Sequence, residues 1–80
     1  MSPIVDEKVE QYAEAHTTPP TELLARLQEE TYATTSMPLM LTGPVEGRLL
    51  ELLVHASGAR RVLEIGMFTG YSALAMAEAL

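Results

Sequence analysis

Of these 80 residues, one short run, Val62-Leu63-Glu64-Ile65, reads as a β-strand. Its apolar, partly β-branched side chains are what a strand covered on both faces requires. That single strand constrains the fold more than any other feature. Alone it leaves its backbone N–H and C=O groups unpaired, and a stable sheet needs further strands or covering helices. After it, Gly66 and Gly70 bracket a tight turn, and the alanine- and leucine-rich stretch from Tyr71 to Leu80 is expected to be helical. Strand, turn and helix open a βαβ unit, whose second parallel strand would follow the crossover helix. The chain is therefore expected to be the N-terminal part of a longer α/β protein.

The turn narrows the chemistry. Its glycines let the backbone approach a ligand, and a helix N-terminus offers free N–H groups and a positive dipole end. A dinucleotide fingerprint starting at Gly66 would need glycines where Phe68 and Tyr71 stand. A P-loop starting there would need glycine and lysine in place of Tyr71 and Ser72. What remains is Glu64-x-Gly66-x-x-x-Gly70. By itself this pattern suits either a plain turn with Glu64 as a solvated strand end, or a site whose acid faces a cationic group.

The longer string Leu63-Glu64-Ile65-Gly66-Met67-Phe68-Thr69-Gly70-Tyr71-Ser72 resembles the first cofactor motif of class I S-adenosylmethionine-dependent methyltransferases. Through its Gly-Tyr-Ser it resembles, more narrowly, the cation-dependent small-molecule O-methyltransferases of the caffeoyl-CoA and catechol type. The resemblance covers Met37 to Leu80 well and the earlier residues more loosely. It implies a Rossmann-like class I methyltransferase fold, of which this chain supplies N-terminal helices, the first parallel strand and the following helix. Residues 1–36 would be a cover or dimer contact, and residues 37–80 the start of the cofactor-binding domain. The resemblance further implies cofactor-binding positions at Thr42, Glu64, Gly66, Met67 and Ser72, with Met40, Phe68 and Tyr71 as walls. Ser72 and the helix N-terminus would take the methionine carboxylate, Glu64 and the Gly66 turn would hold the methionine end, and Thr42 would close over it. The implied reaction carries a methyl group from S-adenosylmethionine to a hydroxyl of a small catechol-like or phenolic substrate. A divalent cation such as Mg would assist, with its ligands outside this chain, and the parent is expected to be a homodimer. No catalytic or metal-binding residue is assigned within these residues, and the 80-residue chain alone is expected to be inactive.

Composition sets the outer limits. The chain has no Cys, 5 basic against 11 acidic residues and a formal net charge of −6. Scattered basic residues and an acidic balance argue against a nucleic-acid surface. No run of about 18 apolar residues suggests a membrane span. With no signal-peptide pattern and no cysteines, a cytoplasmic protein is expected. At this length a single core is marginal.

Before the strand, three helices are expected. The first has Ser2 as cap and Pro3 at its first position, with Val5, Val9, Tyr12 and Ala13 on one face. The second runs from Pro19 or Pro20 to about Thr34 with Thr18 as cap and a stripe of Leu23, Leu24, Leu27 and Thr31. The third spans about Pro44 to Ala56, with Val45, Leu49, Leu52, Leu53 and Ala56 sharing an apolar face, Glu46, Arg48, Glu51 and His55 mostly opposite, and Gly47 pointing to close packing or ligand approach. The connector between the last two carries Met37, Leu39, Met40 and Leu41, whose apolar character points to burial or ligand contact. His16 and His55 read as polar residues near helix C-termini. Two other classes stay open: a truncated, non-catalytic binding or dimerisation module, and a methyltransferase with a different acceptor.

Overall fold

The computed structural model describes residues 5–80, in which the chain forms α1 (Glu7–Ala15), α2 (Glu22–Thr34), a 3-10 turn (Pro38–Met40), α3 (Pro44–Ser57) and α4 (Tyr71–Ala77). Helix α1 starts at Asp6, whose carboxylate accepts from the Lys8 backbone N–H at 2.8 Å, while Glu7 and Glu10 suit the dipole. Ser2 and Pro3, expected to begin this helix, lie outside the described residues. Helix α2 begins later than expected. Its cap is Thr21 rather than Thr18, because Pro19 precedes another proline and is pushed out of the helical region. Helix α3 matches its expected span to within a residue and carries Pro44 at its first turn. Just before it, Gly43 has φ 84° and ψ 175°, a conformation essentially closed to residues with a Cβ.

Helix α4 packs against both α3 and α2. Leu24, Tyr71 and Ala75 form the buried centre, with Leu27, Leu41 and Leu74 packed around it. Tyr71 is 2% exposed. It lies against Gly47 so closely that a Cβ there would come within 2.8 Å of the Tyr71 Cε1. The close approach expected at Gly47 is thus made to a ring of the chain itself. Arg48, expected opposite the apolar face of α3, ties that helix to the segment before α2. Its guanidinium donates to the carbonyls of Thr18 and Pro19 and pairs with Glu51 at 3.0 Å.

Two expectations are not met among the described residues. The first is the parallel strand of the α/β reading: residues 61–64 have no regular secondary structure, and no strand occurs among the described residues. Leu63 and Ile65, expected to be covered on both faces, are 86% and 90% exposed. A strand is defined by its partners, and among the described residues no segment pairs with this one. The second is the buried face of α3. Leu49, Leu52 and Leu53 stay exposed, whereas Gly47 and Val54 are buried. The helix is apolar on more than one side, and α4 takes the side where a glycine lets it come close. Among the connector residues, Met37, Leu39 and Met40 are also exposed, and Leu41 reaches the core. Of the expected α2 stripe, Leu24 and Thr31 are buried and Leu23 is not. Helix α1 has no buried residue, so its Val9 and Tyr12 face remains open. The surface totals 6016 Å². A compact monomer of 8.7 kDa would expose about 4,700 Å². Exposed apolar side chains on α1, the connector, α3 and residues 62–65 contribute to that excess.

Candidate functional site

The glycine turn after residue 65 is built from unusual backbone. Gly66, Phe68 and Gly70 all have positive φ, at 82°, 50° and 94°. Phe68 is the only non-glycine among the described residues to do so. This alternation folds residues 66–70 tightly enough for the Gly70 N–H to reach the Met67 carbonyl at 2.9 Å and for α4 to start at once. The turn is also fixed from the side. Thr31 on α2, 1% exposed, shares a hydrogen bond with the Thr69 hydroxyl at 2.9 Å while donating to its own helix at the Leu27 carbonyl. Replacing Thr31 with valine keeps the shape and strands the Thr69 hydroxyl. A loss of about 1 kcal/mol is expected in urea unfolding.

Met40, Thr42, Gly66, Met67, Phe68, Tyr71 and Ser72 surround one small cavity of about 30 Å³. Seven of the eight positions named from sequence therefore converge, although they come from two segments more than twenty residues apart. Leu41 and Thr69 complete the lining and were missed as site residues. Both sit inside the two segments already marked, so position in the segment was the available signal. The eighth, Glu64, joins through Ser72, whose hydroxyl donates to the Glu64 Oε2. The other carboxylate oxygen, Oε1, is buried with no hydrogen-bond partner. An orphaned buried carboxylate oxygen is costly and calls for a donor.

Tyr71 forms the floor. Burial pushes its phenol above the ordinary tyrosine range; Arg48 opposes that and Glu78 adds to it. The folded state therefore holds the phenolic proton more tightly than the unfolded chain. Stability from this group is intact below pH 10 and falls as pH rises beyond it through the raised folded value. A base titration followed by circular dichroism should show this loss, and Tyr71→Phe should remove the part belonging to Tyr71.

The site suits the amino-acid end of a cofactor with a free ammonium: one oriented carboxylate with an unused buried acceptor oxygen, a hydroxyl beside it and open backbone at Gly66. A cavity this size holds about one water, so a larger ligand would extend out over Met40, Met67 and Phe68. The last two of those walls are 58% and 38% exposed.

Comparison with known proteins places the chain in a family. Residues 13–80 match the family described as O-methyltransferase, and the chain belongs to that family. Tricin synthase 2 of Oryza sativa subsp. japonica is 44% identical over 59 residues, spanning 74% of this chain and 18% of the relative. Caffeoyl-CoA O-methyltransferase 1 of Zea mays is 50% identical over 42 residues, 52% of this chain and 16% of its own length. A caffeoyl-CoA O-methyltransferase of Populus kitakamiensis is 48% identical over 59 residues, 69% of this chain and 25% of its own. The matches thus span a quarter or less of these relatives. No solved structure gives a significant match.

Proposed function

We propose that the chain is the N-terminal part of an S-adenosylmethionine-dependent O-methyltransferase acting on a hydroxyl of a small catechol-like or phenolic substrate. The observation that carries this reading is Glu64: an acid oriented by Ser72, with one buried oxygen unpartnered, at the edge of a turn lined by the other expected positions. In this reading Glu64 receives the ammonium of the methionine end. Gly66 keeps its backbone clear of it, while Met67, Phe68 and Met40 form its walls and Thr42 closes the far side. Ser72 orients the acid, since its hydroxyl is already given to Glu64; taking a carboxylate would require that hydroxyl to turn. Bound S-adenosylmethionine supplies an electrophilic methyl group on a sulfonium. The residues present here bind and position rather than react, and alignment along the transfer line is worth much of the barrier. A divalent cation, with ligands outside these residues, would lower the pKa of the attacking hydroxyl.

The whole enzyme in this reading pairs residues 62–65 with a second parallel strand and covers the exposed face of α3, completing the Rossmann-like sheet. Residues 1–36 serve as a cover or as the contact of a homodimer, and the enzyme is cytoplasmic. Among the described residues no helix is long and apolar enough to cross a membrane. The test is methyl transfer by the protein encoded through and beyond Leu80, with catechol and Mg. Transfer to oxygen that needs the cation supports the reading; transfer to nitrogen without it, or none, overturns it. The 80-residue chain alone should give no turnover on catechol.

A further inference from the structure

Helix α2 runs antiparallel to α4 and is joined to it near both ends. The Thr21 hydroxyl donates to the Glu78 Oε2 at 2.8 Å beside the end of α4, and Thr31 meets Thr69 at 2.9 Å just before its start. Between these links Leu24 of α2 is buried with Tyr71 and Ala75 of α4. The direction of the second link follows from proton counting. A threonine hydroxyl has one proton to give, and that of Thr31 goes to the Leu27 carbonyl at 2.7 Å. Thr69 is therefore the donor and Thr31 the acceptor. Thr31 is 1% exposed, so water has no access to take its place.

Thr69 stands between Phe68 and Gly70, whose φ values are 50° and 94°. A residue with a Cβ in the left-handed region is strained and persists only where its surroundings hold it there. The Thr69 hydrogen bond supplies such a hold from outside the turn, on a helix 38 residues away in the chain. Met67, Phe68 and Thr69 line the cofactor cavity, and Thr31 does not. We infer that Thr31 is a positioning residue for the cofactor turn. It makes no ligand contact; through Thr69 it keeps residues 66–70 in the shape that accepts the ligand before the ligand arrives. Helix α2 thereby sets cofactor affinity as well as covering the core. This rests on the cofactor reading of Glu64, Gly66 and Ser72. Without the bond the turn samples other shapes, and apparent affinity falls with the fraction of chains in the competent one.

The experiment titrates the 80-residue chain and its variants with S-adenosylhomocysteine. It also follows hydrogen exchange at the Gly70 amide, which donates to the Met67 carbonyl at 2.9 Å. Thr31→Val keeps the volume and removes the acceptor. Thr31→Ser keeps the acceptor and removes a methyl group. Thr21→Ala removes the far link and the α2 cap. Thr31→Val should weaken binding about fivefold, as for one lost hydrogen bond, and should speed exchange at Gly70 more than at the Val54 amide in α3. Thr31→Ser should keep the parent affinity despite its smaller side chain, and Thr21→Ala should keep it despite a lower unfolding midpoint. A Thr31 that only fills space would give the opposite order, with Thr31→Ser worse than Thr31→Val. Equal affinity in Thr31→Val and the parent, a loss shared by Thr31→Ser, or Gly70 exchange no faster than that at Val54 would each overturn the proposal. No saturable binding by the parent chain overturns the cofactor reading and this assignment with it, whereas binding indifferent to Thr31→Val overturns this assignment alone.

Discussion

Replacing Gly47 with alanine is expected to destabilise the chain, although the same change in an exposed helix stabilises it by up to about 1 kcal/mol. The new Cβ would stand 2.8 Å from the Tyr71 Cε1 and 3.7 Å from the Ala75 Cβ. The first contact is closer than real side chains tolerate. Tyr71 is buried, so its ring has little room to withdraw. Overpacking of this kind costs about 1–3 kcal/mol, enough to outweigh the gain in helix propensity. The thermal midpoint should fall by about 4–8 °C for each net kcal/mol. The double variant Gly47→Ala/Tyr71→Leu should recover part of the loss, because the clash belongs to the pair. A midpoint unchanged or raised in Gly47→Ala would show that α3 and α4 are not held at this distance.

Glu64→Gln carries the second large effect. The substitution keeps the shape and removes the charge, and Ser72 can still donate to the amide oxygen. Titration of the chain with S-adenosylhomocysteine should show affinity reduced about tenfold or more, as for a charge-assisted hydrogen bond worth about 1.5–3 kcal/mol. Stability should hold or rise, because a buried unpartnered carboxylate oxygen is replaced by a neutral group. The two readouts moving apart is what distinguishes a ligand-binding acid from a structural one. Equal affinity in the two proteins would remove Glu64 from the site.

The sequence made the turn legible because its chemistry is local. Gly66 and Gly70 occupy backbone states that other residues avoid, and the acid and hydroxyl flanking them are fixed in spacing by the turn itself. Helix α3 was legible for a similar reason: Pro44 starts it and Gly58, in the left-handed region, ends it. The face it buries was not legible. Val45, Leu49, Leu52 and Leu53 satisfy the helical period, yet the contact goes to Gly47 and Val54. Hydrophobic periodicity records which faces can be buried, and a neighbour decides which one is. In α2 the two agree at Leu24 and Thr31, which lie on both the predicted stripe and the buried side, while Leu23 of that stripe stays exposed.

The same division explains residues 62–65. Their composition by itself determined a segment suited to the interior of a sheet. Whether it is a strand depends on hydrogen bonds to other segments, and with none Leu63 and Ile65 stay in solvent. The sequence alone also marked the residues of the candidate site and the family to which they point. Only the tertiary structure brought Met40 and Thr42 to the glycine turn, set Tyr71 against Gly47 and left one oxygen of Glu64 waiting for a donor. Backbone preferences act between neighbours in the chain, whereas burial and hydrogen-bond satisfaction depend on residues far apart in it.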